Sequence, residues 1–178
     1  MGTRHIIKVR KNGKDWISQY GQWDGYPSCQ GVTVMKFVAD GAYLDMLEGN
    51  IDREAIVPMS PEDFEKYLNE LVDFADRKEL SMVILDQMYA ASTFCRDAGA
   101  KCLMMFAKRL GRSIAVINEP SGWEEYMYTI DFDERTVRVE ELDGEQRSKE
   151  YTFDSIQRMS DKEIEDTMMW LENEWREE

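Results

Sequence analysis

The chain has 178 residues, enough for one domain and too few for two of ordinary size. Hydrophobic residues make up 43% and aromatics 11%, enough for a real core, and the formal net charge is −14. No window approaches the roughly 18 apolar residues of a membrane span, and the N-terminus lacks a signal peptide's apolar region and cleavage site, so a cytoplasmic protein with no membrane partner is expected.

Thr3 to Arg10 alternates apolar and polar residues and predicts a strand. Asn12-Gly13 is a hairpin turn signal, with Asp15 to Tyr20 as the returning strand. Gly21 to Gly31 holds three glycines and a proline, which marks a shaped loop. Val32 to Leu47 reads as one helix, weakened by Gly41 and ended by Gly49-Asn50. Ser60-Pro61-Glu62-Asp63 is a helix start, with Ser60 as N-cap and acids in the first turn. A further apolar helix is expected from Leu80 to about Phe94, and another from Ala98 to Leu110, stopped by Gly111. Ser113 to Asn118 is a short strand. Tyr126 to Phe132 and Thr136 to Glu141 form a second hairpin around Asp133-Glu134-Arg135. Glu150 to Phe153 adds one more strand, and Ser160 with Glu163 is a capping box that opens the last helix. Hairpins at both ends with helices between them predict an α+β fold over residues 1–178: an antiparallel sheet covered by helices, with both hairpins in it.

The opening Gly2-Thr3-Arg4-His5, the loop Gln19-Tyr20-Gly21-Gln22-Trp23-Asp24-Gly25-Tyr26-Pro27, the segment Arg96-Asp97-Ala98-Gly99-Ala100 and the Tyr126–Glu140 hairpin together carry a resemblance. They resemble a family of small uncharacterised proteins of bacteria, their phages and some fungi. In that family's pattern a glycine stands where this chain has Cys29. The resemblance implies a shared fold and no established activity.

Three groups of residues bear chemistry. The loop Gln19 to Gln30 offers amides, a carboxylate and rings, and His5 lies on the neighbouring strand. His5, Gln22, Trp23, Asp24, Tyr26 and Gln30 are candidate ligand-binding residues, since rings stack, amides orient and a carboxylate accepts hydrogen bonds. The competing reading is a structural turn in which Trp23 and Tyr26 plug the edge of the core. A lone histidine in an alternating strand reads more often as half-exposed surface. Arg96 and Asp97 precede a helix; Asp97 as its N-cap is favoured over an anion site there.

The third group is acidic. Residues 121–178 hold 19 acidic and 7 basic side chains, nearly all of the charge excess. Such a field repels phosphate backbones, which excludes direct nucleic-acid binding by this region, and attracts basic surfaces. In the last helix Ile164, Met168, Leu171 and Trp175 form one apolar stripe. Glu163, Asp166, Glu172 and Glu174, with Glu140, Glu141, Asp143 and Glu145, are the candidate partner-binding face, spaced to imitate phosphates on a basic groove. The competing reading is a packed helix with a solvated face.

No nucleophile motif, phosphate loop or cofactor fingerprint is present, and Cys29, Cys95, Cys102 and His5 fit no zinc spacing, so neither cofactor nor metal is expected. The function expected is a non-catalytic acidic binding protein. It would act as a phage-type inhibitor that occupies a basic nucleic-acid-binding groove of a defence or replication protein. The alternative is a small-molecule or nucleotide binder, or a modest hydrolase, that uses the Gln19–Gln30 loop.

Overall fold

The computed structural model describes residues 2–77 and 96–177. The expected helix over Leu80–Phe94, and Cys95 with it, lie outside the described residues.

The N-terminal hairpin is β1 (His5–Lys11) and β2 (Lys14–Gly21). Asn12 and Gly13 both take positive φ, 55° and 67°, as a tight hairpin turn of matching twist requires. The second hairpin is β5 (Tyr126–Asp131) and β6 (Thr136–Glu141), followed by β7 (Ser148–Thr152). The five strands form one sheet in the order β2-β1-β5-β6-β7. The two hairpins therefore share a sheet, and the fold is α+β as the pattern predicts.

The sheet differs from expectation in one respect. β1 and β5 run parallel, with His5 opposite Tyr126 and Val9 opposite Ile130, while the other pairs are antiparallel. Between the hairpins the chain crosses over through helices, and such a crossover returns the next strand in the same direction. The turns of the two hairpins are tied together: the Asp133 carboxylate accepts hydrogen bonds from the Asn12 and Gly13 amides at 2.7 and 2.8 Å.

The central helices are α1 (Val32–Ala39), α2 (Gly41–Asp52), α3 (Pro61–Arg77) and α4 (Lys101–Lys108). The single helix expected over Val32–Leu47 is broken at Asp40. That residue leaves helical geometry with ψ at 87°, and its carboxylate accepts from the Tyr43 amide. Aspartate competes with helix hydrogen bonds through its own side chain, and here it caps a second helix instead of continuing the first. Ser60 caps α3 as expected, accepting from the Asp63 amide at 3.1 Å.

A two-stranded parallel pair, β3 (Ile56–Met59) with β4 (Ser113–Val116), adjoins the edge of β2 through a bridge between Ser18 and Ile117. Asn118 secures that junction, donating from its backbone and its side chain to the Ser18 carbonyl. β3 was not legible in the sequence, because it is four residues long and contains Pro58.

A short α5 (Phe153–Ile156) and the long α6 (Asp161–Glu177) complete the chain. The capping box forms: Glu163 accepts from the Ser160 amide at 2.7 Å, and Ser160 Oγ accepts from the Glu163 amide at 3.3 Å. The core lies between one face of the sheet and the helices. Ile7, Val9, Tyr128, Ile130, Val137 and Val139 meet Val34 and Val38 of α1 and the stripe Ile164, Met168, Leu171 and Trp175 of α6. On the far side Leu44, Leu47 and Ile51 of α2 join Leu103 and Phe106 of α4 in that core. The buried Asn50 amide locks these two helices by donating to the Phe106 and Ala107 carbonyls at 2.6 and 3.0 Å.

Candidate functional site

The loop after β2 is held from beneath. The Gly25 amide donates to the Thr3 carbonyl at 3.0 Å, and the buried Tyr128 hydroxyl donates to the Gly25 carbonyl at 2.6 Å. A β-carbon at Gly25 would lie 2.8 Å from the Thr3 carbonyl oxygen, so the loop reaches this closeness only with glycine. Beyond it, Pro27–Gly31 makes a π-helical turn in which the amides of Cys29, Gln30 and Gly31 converge on the Tyr26 carbonyl.

This loop meets the Arg96–Lys101 segment across a cleft. Asp97 does not cap the helix that follows; α4 begins at Lys101 with Ala100 as an uncapped N-cap. The Asp97 carboxylate instead accepts from the Trp23 indole at 3.0 Å and from the Gln22 side chain at 3.1 Å. Gln30 closes the other side: its carbonyl oxygen accepts from the Ala100 amide at 2.8 Å, and its amide donates to the Trp23 carbonyl at 3.4 Å. Gly99 faces Gln30 with φ at 52°, and a β-carbon there would lie 2.6 Å from that side chain.

The cleft has a volume of about 150 Å³ and a mostly polar lining: His5, Trp23, Asp24, Gln30, Thr33, Arg96, Asp97 and Lys101, with Ala98 and Gly99. His5 is its most unusual member. The imidazole is fully buried, and neither ring nitrogen makes a well-formed hydrogen bond among the described residues, with the Thr3 backbone near enough to favour the protonated ring. Burial pushes its pKa down from 6.5 to about 4, against the opposing pull of the Thr3 backbone and the Asp24 carboxylate. At neutral pH the ring is therefore uncharged, with one nitrogen to donate and one to accept. A buried polar group left unpaired costs about 1–3 kcal/mol, so such a pair of atoms is a place where a ligand gains affinity.

Of the six residues singled out in the loop region, His5, Trp23, Asp24 and Gln30 come together at the cleft. Gln22 supports its wall through Asp97. Tyr26 does not line it. Its ring turns toward α6, 6.1 Å from Tyr126 and with the Arg176 guanidinium 4.7 Å away. Trp23 is 52% exposed and does not plug the core edge, because its indole is drawn outward to Asp97. His5, expected at a half-exposed position, is buried beneath Gly21 and Gly25. Thr33 and Lys101 carried no sequence signal.

The acidic candidates divide. Glu140 and Glu141 are adjacent strand residues and point to opposite faces of the sheet. Glu140 lies near Lys8 and Arg138, its carboxyl pushed up by burial. Glu141 pairs with Arg147 at 2.9 Å. Asp143 and Glu145 sit at the exposed turn, where Asp143 accepts from the Gly144 amide. On α6, Glu163 belongs to the capping box, and Asp166 and Glu174 are exposed. Glu172 is buried, accepting from the Ser28 amide at 3.1 Å and pairing with Arg176 at 2.7 Å.

Among the described residues no three His, Cys, Asp or Glu side chains converge as metal ligands, and no helix is long and apolar enough to cross a membrane.

A scan of protein-family models and searches of curated proteins and of solved structures found no match.

Proposed function

We propose that this chain is a non-catalytic binding protein for a small polar molecule, held in the cleft between the Trp23–Gln30 loop and the Arg96–Lys101 segment. The observation that carries the reading is His5, buried at the cleft beside the Asp24 carboxylate, with neither ring nitrogen in a well-formed hydrogen bond among the described residues. The neutral ring offers one donor and one acceptor, and a ligand hydroxyl, amide or acid group that enters beside it pairs with one of them. Binding is favoured over hydrolysis on chemical grounds. An imidazole that gains a proton only near pH 4 is a weak base at neutral pH. Thr33, the one hydroxyl of the lining, donates to the Cys29 carbonyl at 3.1 Å and has no base beside it.

The test uses the fact that His5 is the chain's single histidine. Its ring resonances report on this cleft alone. Titration with acetate, glycine or inorganic phosphate is expected to shift them saturably in at least one case, with Asp24→Asn weakening the response to the glycine ammonium and strengthening that to acetate or phosphate by removing a like charge. A ring that none of these probes perturbs contradicts the reading.

A second reading keeps the acidic third as a docking face for a basic protein surface, such as the groove of a nucleic-acid-binding protein in the manner of a phage-type inhibitor. Exposed Met169 and Trp170 on α6, among the carboxylates of Asp166 and Glu174, favour it, since aromatic anchors within a charged rim are the usual composition of an interface.

A further inference from the structure

A neighbouring groove of about 370 Å³ runs between α1, α2 and α4, and Thr33 and Lys101 line both it and the cleft. The two spaces differ in character. The cleft presents an imidazole, amides and carboxylates, whereas the groove presents Phe37, Tyr43, Ala100 and Met104. At their junction Lys101 is exposed, as is Arg96 on the cleft side, and neither is ion-paired among the described residues. The groove's own cation, Lys36, is already held by Glu165 and Asp161. Both cations stand at the border of the two spaces, Lys101 lining the cleft and the groove and Arg96 the cleft.

A polar pocket beside an apolar trough, with a cation at their shared border, matches one ligand chemistry. We infer that the site takes an amphiphile: an anionic head seated in the His5 cleft beside Lys101 and Arg96, with an alkyl or aryl tail lying in the Phe37–Tyr43–Met104 groove. Burying the tail removes apolar surface from water on both partners, and the unbranched Met104 side chain adapts to tails of different shape. The neutral His5 ring carries no net charge of its own, and Lys101 and Arg96 supply the countercharge against the Asp24 and Asp97 carboxylates that share the lining, of which Asp97 is already engaged by Trp23 and Gln22.

The inference rests on the cleft being a ligand site, and the experiment separates the two claims. Calorimetric titration of the full chain with acetate, butanoate, hexanoate and octanoate is expected to give affinity rising about two- to fourfold per added methylene. In Met104→Gln, an uncharged substitution at a half-exposed position of α4, the chain-length increment shrinks while acetate binds as before. Tyr43→Ala reduces the increment independently, should Met104→Gln perturb α4. Octylamine binds at least tenfold more weakly than octanoate, and Lys101→Glu narrows that gap. Equal affinity for acetate and octanoate, with the His5 ring shifted by both, overturns the inference and leaves the polar cleft standing. Preference for octylamine overturns the anionic head. Binding by none of the series, with the His5 ring also unmoved by glycine and phosphate, overturns both.

Discussion

The His5 imidazole packs directly over Gly21, its partner across the β1–β2 pair: a β-carbon at Gly21 would lie 2.4 Å from both Cε1 and Nε2 of the ring. Only a residue without a side chain leaves room for the ring in the sheet face. Gly21→Ala is therefore expected to displace His5 and destabilise the fold by about 1–3 kcal/mol, the usual cost of overpacking a filled site. Urea unfolding of the variant measures this, and an unchanged midpoint would show that the ring is not confined.

The same burial makes His5 a source of pH-dependent stability. Its pKa in the fold, about 4, is lower than the ordinary 6.5, so between these values the unfolded chain binds the extra proton. Stability from this group is complete above pH 6.5 and is lost as the pH falls toward 4, by about 3 kcal/mol in all. The difference in unfolding free energy between the parent and His5→Gln should follow that window and flatten outside it. The histidine ring, followed by NMR, should titrate near pH 4; titration near 6.5 would place it in solvent.

At the cleft wall, Asp97 holds Trp23 and Gln22 through exposed hydrogen bonds. Such bonds contribute little to global stability, so Asp97→Ala is expected to cost about 1 kcal/mol. Trp23→Ala should cost a similar amount and not the roughly 3 kcal/mol of a core aromatic, because the ring is half exposed. Both changes should move the His5 ring resonance, since the wall it faces is gone. A stability loss typical of a core residue would contradict the outward placement of Trp23.

On α6 the carboxylates are not equivalent. Removing Glu172 leaves the Ser28 amide without its acceptor, so Glu172→Ala should destabilise by about 1–3 kcal/mol. Asp166→Asn with Glu174→Gln should leave the melting temperature nearly unchanged, because exposed carboxylates on a helix contribute little. If a basic partner docks on this helix, the same double change slows its association and lessens the salt dependence of the on-rate. An equal loss of stability from both sets would mean that Glu172 is no more structural than its neighbours.

What the sequence revealed follows from the range of the forces involved. The Asn12-Gly13 turn, the alternation of the two hairpins and the α6 stripe are local patterns, and each reads directly as structure. The break at Asp40 was hidden because the apolar spacing of Val34, Phe37, Val38, Leu44 and Leu47 continues through it, so the period alone describes one helix. The cleft was half legible. His5 read as half-exposed surface because its cover comes from Gly21 across the strand pairing and from Gly25 in the loop beyond, neither of them near it in sequence. Asp97 reads as a helix cap from its neighbours in sequence, and its true partners lie 74 and 75 residues away. The acidic third, counted as one block, separates in three dimensions because strand alternation sends Glu140 and Glu141 to opposite faces and the π-helical turn draws Glu172 inward.

The most direct measurement of the central claim is the histidine ring spectrum of the full chain at neutral pH through a titration with octanoate, acetate, glycine and phosphate. The expected result is one neutral imidazole whose resonances shift saturably with a small polar or anionic molecule, and whose response is lost in Asp97→Ala, where the wall is released. A ring that titrates near its ordinary pKa of 6.5 and ignores every probe would contradict it.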